Sequence, residues 1–130
     1  MDETTIRQPI VDHFAVAGRD EVAAAEIFAD DAVLEWPQSG ERIRGKPNIV
    51  AMHEASPTKV DFEIRRTIGC GHLWVTETTI RYNGGRPTNA VFIMEFRDGK
   101  VVRETDYFAE PFDRPEYRSV WVELMSEGER

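Results

Sequence analysis

The stretch that most constrains the fold is residues 88–96, where both alternating sets of side chains are apolar: Ala90, Phe92, Met94 and Phe96 on one, Val91 and Ile93 on the other. Successive side chains of a strand point to opposite faces, so an antiparallel strand of this kind has to be covered on both. One cover is a core or pocket. The other is a layer of helices or a second subunit, which makes a homodimer through the sheet an expectation. The segments around it keep the same period. Val60, Phe62 and Ile64 alternate with Asp61, Glu63 and Arg65, giving a strand with one buried face. Residues 72–82 are rich in Trp, Val, Thr and Ile and end at Asn83-Gly84-Gly85, a strong turn signal. Gly69-Cys70-Gly71 and Asp98-Gly99 mark two further turns, and residues 100–109 supply the next strand.

The front of the chain has helical spacing instead. Pro9 suits the first turn of a helix that carries Ile10, Phe14 and Ala17 and stops at Gly18. Asp20 caps a second helix, predicted through Ala29, with Val22, Ala24, Ile27 and Phe28 as its apolar stripe. Ala32 to Trp36 reads as a short strand ended by Pro37, and residues 38–44 as a polar loop or small hairpin. A third helix begins near Pro47, bears Ile49, Val50, Met52 and His53, and breaks before Pro57. Pro115 is expected to open a last helix bearing Tyr117, Val120, Trp121 and Leu124. Helices first and long strands after make an α+β order: a cone-shaped, curved antiparallel (mixed) sheet packed on N-terminal helices, in one domain over residues 1–130.

Charge and cysteine usage exclude several function classes. A net charge of −8 disfavours nucleic acid, whose binding rests on Lys and Arg neutralising phosphates. The single cysteine, Cys70, forms no internal disulfide, and a nucleophilic role for it is not expected. His13, His53 and His72 are scattered without metal-ligand spacing, so no metal is expected. No glycine pattern cradles a phosphate. Residues 1–10 lack a basic start followed by an apolar run, and no apolar stretch reaches the roughly 20 residues of a membrane span. The expected setting is the cytoplasm, away from membranes.

Three segments carry a family resemblance: Phe28-Ala29-Asp30-Asp31-Ala32-Val33-Leu34-Glu35-Trp36-Pro37, Ile43-Arg44-Gly45-Lys46-Pro47, and Phe96-Arg97-Asp98-Gly99-Lys100-Val101-Val102-Arg103-Glu104-Thr105-Asp106-Tyr107-Phe108. On these the chain resembles the SnoaL-like polyketide cyclase branch of the nuclear transport factor 2-like superfamily. The resemblance implies a sheet wrapped around a cavity, roofed by the first helices, commonly dimeric, and working without metal or organic cofactor. That superfamily includes isomerases, cyclases, epoxide hydrolases, dehydratases and proteins with no catalysis known, so fold alone does not give the activity.

Asp106 is the leading candidate for chemistry. Alternation places it with Glu104 and Phe108 on one face of the last strand, and the limonene epoxide hydrolase branch has a general-base aspartate at the matching position. A carboxylate among Phe and Met side chains loses hydration, so its pKa rises toward neutrality. Two carboxylates on one face raise one another's further. His53 lies on the third helix, where the resemblance puts pocket-lining residues, and is the histidine expected to act; His72, beside a glycine turn, is expected to be exposed. Phe14, Trp36, Trp74, Phe92, Met94 and Phe108 are the candidate ligand-binding residues for an apolar small molecule.

The sequence departs from the two best known mechanisms of the superfamily. Where ketosteroid isomerases carry the base aspartate this chain has Trp36. About Phe92 takes the place of their acidic oxyanion-hole donor, and about Asp12 that of their helix-one tyrosine. Thr78 and Ile80 replace the Arg and Asp of the epoxide hydrolases, with Glu77 expected toward a dimer partner or solvent. Two readings follow. One is a cofactor-free acid-base enzyme using Asp106 with His53 or Glu104, for cyclisation, isomerisation, dehydration or hydrolysis. The other, favoured by the missing partners, is a non-catalytic ligand-binding or dimerisation domain of the same fold.

Overall fold

The computed structural model describes residues 3–130, with side chains from residue 6 onward, so part of the N-terminal stretch read for a leader lies outside the described residues. Helix α1 (Glu3–Val16) runs into a short α2 (Glu21–Ala24) and a 3-10 turn (Ala25–Ile27). Then follow β1 (Phe28–Trp36), β2 (Glu41–Arg44), α3 (Lys46–Ala55), β3 (Val60–Cys70), β4 (Leu73–Tyr82), β5 (Pro87–Arg97) and β6 (Lys100–Ala109). The strands form one open, curved six-stranded sheet in the order β2-β1-β6-β5-β4-β3. It is mixed because β1 runs parallel to β6, while every other neighbouring pair is antiparallel.

The turns form as their residues dictate. Asn83 and Gly84 have φ of 53° and 70°, and Asp98 and Gly99 have 51° and 80°. Two successive positive φ angles are what the tight hairpin turns β4-β5 and β5-β6 need, and Asn-Gly and Asp-Gly tolerate them best. A bulge between Ile64 and Arg66 flips the alternation of β3, so that Thr67 and Gly69 face inward beyond it. There Gly69 lies against Trp74, where an added Cβ would sit 2.4 Å from the indole ring.

The concave face of the sheet holds the core. Trp74, Ile80, Ala90, Phe92, Met94, Phe96 and Val101 are buried on it, and Ile6, Ile10 and Phe14 of α1 close over it from the helical side. The alternation predicted for β5 and β6 holds, with Val91 and Ile93 only half-buried on the opposite, convex face.

Three sequence expectations are corrected. Pro9 lies inside α1, whose first turn starts at Glu3 and not at the proline. Asp20 does cap α2, its side chain accepting from the Ala23 N–H at 3.0 Å, but helix gives way at Ala25 and Phe28 and Ala29 already belong to β1. Pairing of Phe28 with Val101 of β6 overrides the local helical stripe. The last helix does not form. Residues 116–118 and 127–129 make single 3-10 turns, and Tyr117, Val120, Trp121 and Leu124 stand 75–80% exposed. A short apolar stripe with no surface to pack on cannot meet the cost of helix nucleation.

Candidate functional site

Helices α1 and α3 stand away from the open end of the sheet and leave a cavity of about 770 Å³ between them and the concave face. Its walls carry Phe14, Trp36, Phe92 and Phe108 of the six apolar residues singled out from the sequence. Trp74 and Met94 do not reach it. They point to the same face of the sheet but are 1% and 0% exposed in the packed core, and the Trp74 indole N–H is taken by the Gly71 carbonyl at 3.0 Å. Phe62 and Phe28, not singled out before, do line it. The rings of Phe14 and Phe62 lie 5.0 and 6.0 Å from that of Phe92, and Phe108 stands edge-on to Phe92 at 6.1 Å. Such tilted contacts let the ring edges meet neighbouring faces and fix the wall's shape.

Glu104 and Asp106 open onto this cavity from β6, and both are nearly sealed from solvent, at 4% and 3% exposure. The pairing that places them is long-range. Leu34 and Glu35 of β1 lie beside Glu104 and Thr105, and one residue further Trp36 reaches Asp106, its indole N–H donating to Oδ2 at 3.0 Å. Beyond the end of β1 the Gln38 side chain continues the ladder. Its amide donates to the Phe108 carbonyl at 2.8 Å and accepts from the Phe108 N–H at 2.6 Å, pinning the turn that carries Trp36. Trp36 thus supplies a donor for a carboxylate where the isomerases carry the base itself.

Among the described residues no cation pairs with either carboxyl, so burial dominates their titration. Burial raises Asp106 to about 7, opposed by hydrogen bonds from Glu104 and Trp36 that favour its charged form. Glu104 is raised well above the ordinary carboxylate range, first by burial and then by the charge on Asp106. The order follows from the donors: Glu104 keeps a proton and donates it to Asp106, which carries the pair's single charge. Glu104 Oε1 and Asp106 Oδ1 are buried and have no hydrogen-bond partner among the described residues. Near pH 7 such a pair can take a proton from a bound molecule and give one back.

His53 also lines the cavity, on α3, with Nδ1 3.6 Å from Glu21 Oε2 and its pKa lowered by burial. It stands beside Glu21, away from any hydrogen bond to the carboxyl pair. His13 is the histidine whose direction, into the cavity or outward, the sequence leaves open. It lies on α1 in the cavity wall, its Nδ1 2.6 Å from the Ala24 carbonyl, and burial lowers it to about 4. Its spacing from Ile10 and Phe14 was the available signal for an inward tilt. His72 is exposed as expected, whereas Gly69 and Cys70, read as turn residues, end β3 because their pairing with Trp74 and Leu73 continues the ladder. The turn is Gly71-His72, and Cys70 is exposed. Glu77 lies on the convex face, bonded to Arg66 at 2.6 Å, and Thr78 is buried on the concave one. No cluster of three metal-ligating side chains occurs among the described residues, and no described helix is long and apolar enough to cross a membrane.

Residues 10–104 match the family model of the SnoaL-like domain. No curated protein matches the chain. Among solved structures, an NTF-2 like protein of unknown function from Burkholderia xenovorans LB400 is 48% identical, with a TM-score of 0.86 over 95% of this chain and 98% of that one. A putative ketosteroid isomerase from Kribbella flavida is 25% identical, with a TM-score of 0.86 over 95% and 91%. An LEH-like epoxide hydrolase from M. tuberculosis shares the fold at 21% identity, with a TM-score of 0.69 over 81% and 83%.

Proposed function

The chain belongs to the SnoaL-like domain family, and on that premise we propose that it is a small, single-domain, cofactor-independent enzyme that moves protons on an apolar molecule held in the cavity. The observation that carries this reading is Asp106: a carboxylate on the cavity wall with no cation, held by the Trp36 N–H and raised by burial to about 7. A base whose pKa matches the ambient pH is the most effective proton carrier there. Asp106 removes a proton from an acidic C–H, or from water beside an electrophilic carbon, and returns it to a second position. Glu104 keeps that charge single. Phe14, Trp36, Phe92 and Phe108 hold the substrate's rings and keep bulk water away, and His53, beside Glu21 on the cavity wall, serves as a second group that exchanges a proton with the bound molecule. Isomerisation, cyclisation, dehydration and hydrolysis all fit this set. The half-buried convex residues Val75, Val91 and Ile93 support a homodimer through the sheet, and the lone exposed thiol supports a cytoplasmic setting.

Deuterium exchange at the acidic C–H groups of 2-tetralone, followed by NMR in D₂O, tests the reading. The wild type should accelerate exchange over buffer, and Asp106→Asn should lower that acceleration about 10²- to 10⁴-fold. Equal rates in the two proteins overturn the assignment of Asp106. Binding of tetralone without any acceleration in the wild type selects the non-catalytic reading.

A further inference from the structure

The cavity has a second polar pole, on the helical side, that the carboxyl chemistry does not use. His13 Nδ1 lies 2.6 Å from the Ala24 carbonyl oxygen. That oxygen can only accept, so Nδ1 bears the hydrogen and the neutral ring is fixed in the tautomer whose Nε2 is a bare lone pair. The ring cannot turn to hide it: Phe14 packs edge-on at 4.8 Å and Phe28 edge-on at 5.7 Å. Nδ1 makes the one hydrogen bond of the ring among the described residues, and His13, which is half-buried, lines the cavity with Nε2 still accessible. A molecule that fills the cavity covers this acceptor, and covering it without a donor is costly, so a molecule that brings a donor to this point is favoured.

We infer that His13 is a ligand-binding residue, and that the molecule the cavity takes is a neutral, ring-bearing alcohol or phenol whose O–H donates to His13 Nε2. This rests on reading the cavity as the ligand site and narrows the class of ligand within it. An anion fits the His13 pole worst, although Arg19 and Lys59 also line the cavity: a carboxylate or phosphate has no proton to offer His13, and it meets the charge of Asp106. The size agrees, since pockets of about 300–1,000 Å³ bury most of the surface of a drug-sized molecule.

The experiment uses three matched bicyclic probes, 2-naphthol, 2-methylnaphthalene and 2-naphthoate, titrated into the intact protein by calorimetry. Two-dimensional spectra of protein labelled with ¹⁵N in its histidine rings run alongside. In the free wild type the His13 Nε2 should resonate as an unprotonated nitrogen, and 2-naphthol should shift it while 2-methylnaphthalene does not. 2-Naphthol should bind about tenfold more tightly than 2-methylnaphthalene, the value of one neutral hydrogen bond, and 2-naphthoate should bind weakest. His13→Phe should erase the preference for the alcohol, and His13→Gln, which keeps an acceptor, should restore part of it.

A protonated Nε2 in the free protein, or equal affinity for alcohol and hydrocarbon in the wild type, overturns the inference. Both readouts use unmodified protein, so a folding defect in either variant leaves the test intact. Asp106→Asn separates the two proposals: it should abolish exchange on tetralone and keep the preference for 2-naphthol. In the wild type, accelerated exchange on tetralone without any preference for 2-naphthol would sink the role of His13 alone.

Discussion

Glu35 and Glu104 stand one register step apart on the paired strands β1 and β6, on opposite faces of the sheet, and both side chains are largely covered. Their chemistry is opposite. On the convex face Glu35 receives Arg42 at 2.6 Å and Arg103 at 2.5 Å, and the hydrogen bond from Arg42 leads in holding its pKa below the usual value. On the concave face Glu104 and Asp106 meet aromatic rings and each other, and burial drives both upward. Coverage alone therefore does not mark a reactive carboxyl. What marks it is coverage without a cation, a state the fold tolerates only where something other than stability is gained.

The largest effect that tests this contrast is on stability. A carboxyl whose folded pKa is raised binds its proton more tightly in the folded chain, so Asp106 and Glu104 lower stability as pH rises from about 4 toward 7. His13 acts in the other direction. Its folded pKa of about 4 lies below the ordinary 6.5, so stability rises over that window as the unfolded chain loses the proton, and His53 adds in the same sense. The wild type should therefore show a nearly flat dependence of unfolding free energy on pH between 4 and 6.5. The double variant Asp106→Asn/Glu104→Gln should show a rising one, and should exceed the wild type at pH 8 by about 2–4 kcal/mol. Chemical denaturation at pH 4, 6 and 8 measures it, and a variant less stable than the wild type at pH 8 would remove the distinction between the two faces.

A smaller effect isolates one donor. Trp36→Phe keeps the ring and deletes the N–H that favours charged Asp106, so the pH at which tetralone exchange rises should move up by about one unit. An unchanged profile would mean that Trp36 only packs. Smallest of all are changes on the convex face. Glu77→Gln breaks the exposed ion pair with Arg66 and should alter the melting temperature little at low salt and less at high salt, with tetralone exchange unaffected.

Much of this contrast is visible in the sequence. The two alternating sets of residues 88–96 and the Glu104-Asp106-Phe108 face follow from a period of two, and Asn83-Gly84 and Asp98-Gly99 from the φ angles that hairpins need. Depth along a face does not follow from alternation. Trp74 and Met94 share the concave side with Phe92, yet they lie in the packed core, and Gly69 under the Trp74 ring helps close that end. Helical spacing misled where no surface answered it, as in Tyr117, Val120, Trp121 and Leu124, and where a distant strand competed for it, as in Phe28 and Ala29. The His13 tautomer depends on a carbonyl 11 residues away, across the turn into α2, and no local pattern announces it.

The bond from Trp36 to Asp106 joins residues 70 positions apart, and the parallel pairing of β1 with β6 closes the whole sheet-forming part of the chain into one loop. Closing a loop of that length is among the slower and more entropically expensive steps open to a folding chain. During synthesis β1 is made early and must wait for its neighbour until β6 has left the ribosome. Up to that moment the chain holds neither carboxyl beside the indole that steadies one of them. A working site on this scaffold thus reports that the chain has been made and folded through to its sixth strand, and partial products are silent.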